Sequence, residues 1–527
     1  MRTIRTFFAI AALCLGMESH AQAPFSFDDG LERSTPEAQG VSSKAIAEFF
    51  QALEDGGYEV HGLMLMRHDK VIAEHWWYPY GPDHKHAMYS STKTFSAMAM
   101  GFAVQEGLVK VSDKVKDIFP DLVPANPAPE LDRLTVKHLL SMTTGHRSTQ
   151  YEGSGDDQVR SFLAMDYAHE PGTSFAYNIT NSHMLSQIIS RVTGETIYEY
   201  LKPRLLDKIG ISDDVFWEMD LSGRNMGNGG MHSRTSDMAK FGTFMKNRGK
   251  WNGEQIIDPQ WIDDMTATYI YQNPQRSAEE NANDDGSQGY GYQTWMGRHN
   301  SYRAIGASNQ VILVIPDCDV VLASQGSIGD ENGFNSLVYK LCDTMSDKKL
   351  KADKGFDLNA AISGYKLKFP FPACDESNAV KNCTKRYNMH QNSYGINVVD
   401  FRFDKSGNVY LTFEGDAFTT NIPFGLNSWK MGQTDRKAAF ARAVYTNMMG
   451  VTPYETAGYC TWTAENELTT YYLSMFNVGT NETFRFSFDG DDITMTIVGP
   501  AGRGGAPAQS VVLTGSAIKK TVKTTPF

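Results

Sequence analysis

The sequence predicts an α+β fold in two parts: an antiparallel sheet flanked by helices with a mostly helical insertion, then an all-β C-terminal domain. The first observation is that strand-like segments form two groups separated by a long helical stretch, at residues 60–66, 71–77, 292–296, 302–305, 310–315 and 320–324. The second is that tight turns join these segments, which favours antiparallel pairing. The third is that strand-like segments dominate again after residue 355.

Helices are predicted where apolar residues recur every three or four positions. The first follows turn residues near position 40 and has this spacing through Ile46, Phe49, Phe50 and Leu53. Helical spacing returns after the two early strands in residues 91–106, 182–210 with a break at Gly194, and 238–249, and after the last strand in residues 333–345. Residues 134–146 predict a short helix that enters a turn. Because hairpins bracket these helices, we expect them to pack on the faces of the sheet.

Composition sets the expected domain boundaries. Residues 33–345 contain the first sheet and its helices. Residues 346–355, "SDKKLKADKG", are charged and poor in apolar side chains, which predicts a linker. Residues 356–527 contain segments such as "VVDFRFD", "NVYLTFEG" and "TFRFSFDG" with turn signals between them, and predict a meander or a small barrel.

Size and charge exclude some classes of function. A chain of 527 residues with 41% hydrophobic residues can form more than one domain, each with a core. The net charge of −12 is spread without long runs, so nucleic acid is not expected as a partner. No Cys-x-x-Cys pair or zinc-type Cys/His cluster occurs, and His84 and His86 form the nearest pair of possible ligands. We therefore expect no metal site.

The N-terminus, "MRTIRTFFAIAALCLGMESHAQA", predicts a signal peptide over residues 1–21. Arg2 and Arg5 precede an apolar core, and a small-x-small site favours cleavage after Ala21. The alternative is a short membrane anchor, but the apolar run is shorter than the ~20 residues that span a bilayer. No later segment is long and apolar enough to span, so we expect a periplasmic or secreted protein.

Five cysteines remain after the predicted cleavage, and an odd number leaves at least one unpaired within the chain. Cys374 and Cys383 are close in a loop-like stretch and could form a disulfide in an oxidising compartment. Unpaired thiols are the alternative at this point.

The stretch "MYSSTKTFSAMAMGF" holds a possible nucleophile and base, Ser90 and Lys93. The pattern Ser-x-x-Lys also occurs at Ser346, Ser363 and Ser516, but only Ser90 is followed by an apolar helical run. Free N–H groups at a helix start can stabilise negative charge, and residues three apart share a helix face. The alternative is that Ser90 only caps the helix and Lys93 is solvated.

The surrounding motifs favour chemistry. The segments "MYSSTKTFSAMAMGFAVQEGLVKVSDKVKDIFPDL", "LTVKHLLSMTTGH", "PGTSFAYNITNSHMLSQIISRVTG" and "NGGMHSRTSDMAKFG" occur in this order. Together they resemble the serine beta-lactamase-like superfamily of penicillin-binding-protein fold, nearest to its esterase and 6-aminohexanoate-dimer hydrolase branch. The resemblance covers about residues 33–345. It implies a beta-lactamase/transpeptidase-like fold and an exported serine hydrolase that needs no cofactor.

The resemblance implies roles for the residues of the first two motifs. Ser90 would be the acylated nucleophile, with Lys93 as its proton acceptor. Tyr177 matches the tyrosine of the Tyr-x-Asn motif and would be a second proton-transfer group. The third position is Ile179, so the motif asparagine is absent there, and Asn178 stands one residue earlier.

The third motif, Lys-Thr-Gly in the family, falls on Ala304, Ile305 and Gly306, and only its glycine is kept. The resemblance implies that Gly306 lets this strand approach the substrate. The N–H of Ala307 would form the oxyanion hole with that of Ser90, and Ser308 would lie beside it.

The missing motif lysine affects the expected substrate, because this cation holds the substrate carboxylate in beta-lactam-binding relatives. We therefore expect a small-molecule or peptide-like ester or amide. A cell-wall DD-peptidase or beta-lactamase is one alternative, and an inactive binding protein on the same fold is another. The sequence does not determine the natural substrate or the oligomeric state.

Overall fold

The computed structural model describes residues 28–147, 155–372, 386–436, 453–477, 481–499 and 507–518. The predicted signal peptide at residues 1–21 lies outside these ranges, as do Cys374 and Cys383, for which a disulfide and unpaired thiols were both open. The cysteines within these ranges are Cys318, Cys342 and Cys460.

An antiparallel sheet forms the centre of the first part of the chain, as the sequence predicts. The strands up to residue 327 are, in chain order, β1 (Glu59–Arg67), β2 (Lys70–Trp76), β3 (His86–Ala87), β4 (Phe216–Trp217), β5 (Met231–Ser233), β6 (Lys250–Trp251), β7 (Glu254–Gln255), β8 (Trp295–Met296), β9 (Tyr302–Gly306), β10 (Gln310–Ile315) and β11 (Val320–Ser327). Within the described residues, six of them pair in the order β2-β1-β11-β10-β9-β8. Early and late strands thus meet side by side at β1 and β11, which pair antiparallel.

Helices cover both faces of this sheet. In chain order they are α1 (Ser43–Asp55), α2 (Thr92–Gln105), α3 (Val115–Ile118), α4 (Val136–Leu140), α5 (Asp156–Leu163), α6 (Ile179–Thr193), α7 (Ile197–Leu201), α8 (Thr235–Lys246), α9 (Pro259–Met265), α10 (Ala278–Ala282), α11 (Glu331–Cys342) and α12 (Leu358–Ile362). Strand β1 shows the two faces, because side chains alternate along a strand. Leu63 and Leu65 join the core formed with α1 and α11, whereas Met64 and Met66 join the core formed with α2 and α8.

Helix α2 lies in the interior. Its residues from Thr92 to Ala103 are all buried, polar ones included. A helix that is apolar or buried all round needs neighbours on every side. This position removes water from the side chains of its first turn.

Left-handed residues limit the length of two elements, and one of these, a strand, is shorter than predicted. The strand predicted at 292–296 forms only at Trp295–Met296, because Gln293 has a left-handed backbone with φ 50°. The segment 134–146 forms the short helix α4 and then a turn, as predicted, and Met142 has φ 58° just beyond the helix. Left-handed residues end regular helices and strands alike.

The C-terminal part is an all-β barrel, which confirms the predicted fold class. Its strands are β12 (Arg386–Met389), β13 (Val398–Phe403), β14 (Val409–Glu414), β15 (Thr419–Leu426), β16 (Lys430–Thr434), β17 (Tyr454–Ala464), β18 (Glu467–Ser474), β19 (Glu482–Asp489), β20 (Asp492–Val498) and β21 (Ser510–Ala517). They form one sheet, and a short parallel pairing of β15 with β17, Gly425 opposite Tyr459, brings its ends together. Alternating side chains of these strands fill the barrel interior.

The barrel packs on the first part of the chain. Trp429, Tyr459 and Leu473 belong to the same buried cluster as Phe50 of α1. The segment between the two parts adds to it through Leu367, whose N–H donates to the carbonyl of Tyr78 at 3.0 Å. Among the described residues, no helix combines the length and apolar composition that crossing a bilayer requires.

Candidate active site

Ser90 lies directly before α2. A short 3-10 turn, Tyr89–Ser91, leads into the helix, and the N-cap position is held by Ser91. The Ser91 hydroxyl donates to the carbonyl of Gln310, which ties the start of α2 to β10. Ser90 is therefore not the capping residue, contrary to the simpler interpretation of the motif, and its hydroxyl contacts Lys93 instead.

Lys93 is one helical turn beyond Ser90 and points back towards it. Its Nζ donates to Ser90 Oγ at 2.8 Å and also to the carbonyl of Asn228. Lys93 is 2% exposed, and burial lowers the pKa of its amine from the usual range to about 7. Loss of water disfavours the charged form of an amine. At neutral pH a large fraction of Lys93 is therefore an unprotonated base beside a serine hydroxyl.

Tyr177 reaches Ser90 from the segment before α6. Burial raises the pKa of its phenol to about 12, and a hydrogen bond with Ser90 opposes that rise. The Lys93 Nζ lies 5.2 Å from the centre of the Tyr177 ring. The structure thus brings Ser90, Lys93 and Tyr177 together, in the arrangement expected from the motifs.

Asn178 occupies a structural position beside this group. It is the N-cap residue of α6, and its Oδ1 accepts from the N–H of Thr180 at 2.9 Å and from the Thr180 hydroxyl. The side chain is 2% exposed. Its oxygen is thereby used to cap the helix that follows Tyr177, and its predicted binding role stays a prediction.

Gly306 brings the edge of β9 against the backbone next to Ser90. A Cβ atom at this position would lie 2.0 Å from the carbonyl oxygen of Met88 and 3.1 Å from the N of Ser90. Only a glycine permits so close an approach of two backbones. The retained glycine of the third motif is therefore explained by this contact.

Ala307 and Ser308 form the hairpin turn between β9 and β10. Ser308 has φ 60°, and its carbonyl accepts from the N–H of Ile328 at 3.1 Å. The carbonyl of Ala307 accepts from the Gln310 side chain at 3.2 Å. The predicted roles of Ala307 in an oxyanion hole and of Ser308 in substrate binding stay predictions. Ala304, where the family has lysine, is 3% exposed.

An aromatic cluster beside Tyr177 was not predicted from the sequence. The Trp295 ring lies 5.6 Å from that of Tyr177, and Phe175 and Tyr290 lie 5.9 and 5.0 Å from Trp295. Trp295 and Phe175 are both partly exposed. The segment "GYGYQTWM" just before β9 contains two of these rings and was the available signal. These residues form an apolar wall next to the phenol.

Asn228 is a second residue that sequence reasoning did not single out. Its contribution is a backbone carbonyl, which binds Lys93, so no side-chain pattern could mark it. Asn228 is the first residue of the motif segment "NGGMHSRTSDMAKFG". Within the described ranges, no group of three or more His, Cys, Asp or Glu side chains is placed to hold a metal.

Comparison with known proteins gives the family of this fold and site. A model of the family described as Beta-lactamase matches residues 46–325, more than half of the chain. The chain is 24% identical over 322 residues to the 6-aminohexanoate-dimer hydrolase of Paenarthrobacter ureafaciens, covering 56% of this chain and 80% of that protein. It is 27% identical over 143 residues to Protein flp of Staphylococcus aureus, covering 26% and 28% of the two chains.

Two solved structures are also similar to this one. A putative beta-lactamase from Bacteroides dorei is 17% identical with a TM-score of 0.48, covering 57% of this chain and 99% of that chain. A family VIII carboxylesterase is 16% identical with a TM-score of 0.47, covering 59% and 98%. The family match spans the helices and strands that carry Ser90, Lys93, Tyr177 and Gly306. The expected beta-lactamase/transpeptidase-like fold is thus confirmed, and the chain belongs to the Beta-lactamase family.

Proposed function

We propose that this protein is a serine hydrolase that cleaves an ester or amide bond through an acyl-enzyme on Ser90. The observation that carries the proposal is the 2.8 Å contact between Lys93 Nζ and Ser90 Oγ at a lysine whose pKa is lowered to about 7. A serine hydroxyl attacks poorly until a base takes its proton. Lys93 provides that base without a metal ion or a histidine.

Acylation needs two proton transfers. Lys93 accepts the Ser90 proton as Oγ bonds to the substrate carbonyl carbon, and the carbonyl oxygen takes up the negative charge. When the tetrahedral intermediate collapses, the bond to the leaving alcohol or amine breaks, and that group takes a proton. We assign this donation to Tyr177, whose pKa of about 12 keeps the phenol protonated at neutral pH. The proton held by Lys93 then restores the phenol.

The developing oxyanion needs hydrogen-bond donors at fixed positions. We assign this task to the N–H groups of Ser90 and Ala307. The support is the close approach of Gly306 to the Ser90 backbone, which places the start of α2 against the end of β9. Water then attacks the acyl-enzyme by the same proton path in reverse, releasing a carboxylic acid and free Ser90.

The substrate class follows from the residues around this site. Ala304 and Ile305 replace the cationic part of the third motif, so these two positions offer no charge to a substrate carboxylate, and the neighbouring Arg303 is buried and paired with Glu331. Trp295 and Phe175 supply an apolar surface beside Tyr177. An ester or amide with an uncharged, partly apolar group next to the scissile bond fits this arrangement best.

The test uses a panel of p-nitrophenyl esters and amides with the wild type and Ser90→Ala. We expect hydrolysis by the wild type, an acyl mass increase on Ser90, and a loss of rate of at least about 1,000-fold in the variant. Ser363→Ala is the matched control, because Ser363 heads another Ser-x-x-Lys pattern but is exposed and bonds to the Ala360 carbonyl. Equal rates in wild type and Ser90→Ala would refute the proposal.

The same panel separates the alternatives. Labelling of Ser90 by a fluorescent penicillin, without reaction with simple esters, would assign a cell-wall DD-peptidase or beta-lactamase. A wild type that reacts with no ester, amide or penicillin would be an inactive binding protein on this fold.

We also propose that the protein is exported. The support is the positive, apolar and small-residue sequence of residues 1–21. Sequencing the mature N-terminus tests this, with cleavage after Ala21 as the expected result and an intact N-terminus as the contrary one.

A further inference from the structure

The C-terminal barrel binds the chain immediately before Ser90. After β18 the barrel chain makes a turn, which ends at Asn477. The carbonyl of Phe476 accepts from the N–H of Ala87 at 2.6 Å, and Asn477 Oδ1 accepts from the phenol of Tyr89. The contact at Ala87 thus lies three residues before Ser90, and the contact at Tyr89 lies one residue before it.

Tyr89 needs support of this kind. Its φ is 46°, in the left-handed region, which disfavours residues with a bulky side chain. Such conformations persist only where the surroundings fix them. The backbone next to it is fixed by the first part of the chain, since the Met88 N–H donates to the Met231 carbonyl at 2.8 Å and Gly306 abuts the Met88 carbonyl. The Tyr89 hydroxyl is bound by the barrel.

The barrel turn is well placed to act as a support. Asn477 is 4% exposed, and the N–H of Met475 donates to the Glu455 carbonyl at 3.0 Å. The Phe476 ring lies 5.5 Å from His232 of β5 and 5.0 Å from Tyr454 of β17. The hydrogen bond between Tyr89 and Asn477 is partly buried, and a hydrogen bond shielded from water is stronger than an exposed one.

We propose that Asn477 is a positioning residue for Ser90, so that the barrel completes the site of the first part of the chain. The proposal rests on the proposed hydrolase function. Asn477 holds the Tyr89 phenol, the phenol holds the left-handed backbone of Tyr89, and that backbone sets where the Ser90 hydroxyl stands relative to Lys93. Because reaction rates fall steeply with small displacements of a reacting group, the effect should appear in the chemical step.

The test compares Asn477→Ala, Asn477→Asp, Tyr89→Phe and the double variant of Tyr89→Phe with Asn477→Ala. We expect each of Asn477→Ala and Tyr89→Phe to lower kcat about tenfold with KM unchanged, and the double variant to lose no more than either alone. Asn477→Asp keeps an oxygen that accepts from the Tyr89 phenol, so this variant should retain most of the wild-type kcat. Asn466→Ala is the matched control, because Asn466 lies at the other end of the same hairpin and bonds to the Phe488 carbonyl.

A second measurement is independent of activity. Hydrogen exchange of the peptide that covers residues 86–92 should be faster in Asn477→Ala than in the wild type or in Asn466→Ala, at equal melting temperature. Unchanged exchange and unchanged kcat in Asn477→Ala would overturn the proposal, as would additive losses in the double variant. An unreactive wild type would refute the hydrolase function instead, and the exchange result would still decide whether Asn477 holds this segment.

Discussion

Lys93 and Tyr177 differ in protonation at neutral pH, although both contact Ser90. Burial lowers the pKa of Lys93 to about 7 and raises the pKa of Tyr177 to about 12. Desolvation disfavours the charged form of each group, which is the cation for lysine and the anion for tyrosine. The same burial therefore favours the neutral form of both groups, which is a base for the amine and an acid for the phenol.

The pH dependence of the reaction should report Lys93. We expect kcat/KM for an activated ester to rise through an acid limb centred near pH 7, because only the unprotonated amine accepts the Ser90 proton. No basic limb from Tyr177 should appear below pH 9, since its pKa is about 12. Initial rates between pH 5 and 9 measure both.

Tyr177→Phe is the control for this assignment. If Tyr177 is the acid, the variant keeps the acid limb near pH 7. Its rate falls more with an alkyl ester than with an activated ester, because the leaving group of an activated ester needs no proton. Disappearance of the acid limb in Tyr177→Phe would show that the phenol, and not Lys93, is the titrating base.

The sequence predicted that Ser90, Lys93 and Tyr177 lie together, but it did not predict what surrounds each side chain. The spacing of Ser90 and Lys93 placed both on one helix face, and the order of the motifs identified Tyr177. The pKa of Lys93 depends on burial by residues distant in sequence, such as Asn228, whose backbone carbonyl has no sequence signature. Trp295 lies in an aromatic segment that was an available signal, but its place beside Tyr177 depends on folding that brings together residues distant in sequence.

The element that decides the geometry is strand β9 where it meets the start of α2. The Ser91 hydroxyl binds the start of the helix to β10. Strand β9 can approach the helix closely because Gly306 has no side chain. The distance between Ser90 and β9 is thereby set by two backbones, and not by flexible side chains.

Gly306→Ala should therefore damage the site. The added Cβ would lie 2.0 Å from a backbone carbonyl, so β9 must move away from Ser90. We expect a loss of kcat/KM of about 100-fold, measured with the best ester of the panel. Gly364→Ala is the matched control, because a Cβ there meets nothing within 4 Å; equal activity of the two variants would contradict this account.

Elements with strong periodicity were predicted well. The predicted strands at 302–305, 310–315 and 320–324 match β9, β10 and β11 closely. The predicted break at Gly194 corresponds to the end of α6, where this residue has φ 79°. The strands β3, β4 and β5 were missed, because two or three residues carry no period and form only through pairing with distant partners.

For the whole molecule, a buried amine with a lowered pKa has a cost in stability. Between the folded pKa of about 7 and the unfolded value of about 10.4, the unfolded chain binds a proton that the native state lacks. The free energy of unfolding therefore falls as the pH decreases through this window. The total loss is on the order of a few kcal/mol.

Lys93→Met should remove this dependence. We expect the variant to be inactive, and its stability relative to the wild type to increase as the pH is lowered from 10 to 7. Urea unfolding at several pH values measures the difference, with the exposed Lys110→Met as a control that should show no such trend. A constant difference between wild type and Lys93→Met across this range would show that the native amine keeps its usual pKa.

The architecture was predicted because each part has its own period, helical around the first sheet and alternating in the barrel. The contact of the barrel with Ala87 and Tyr89 was not predictable. It joins residues almost 400 positions apart through one carbonyl and one amide side chain. Amino-acid composition gives no signal for such a pairing.

The burial of Ala304 constrains how this protein could acquire new substrates. A lysine installed there would have to displace packed neighbours, since the residue is 3% exposed and belongs to the core that contains α2. Isolated charges in such a place are costly without a partner. A single substitution at Ala304 is thus not expected to give binding of acidic ligands. Directed evolution towards such ligands would first have to reduce the packing around β9.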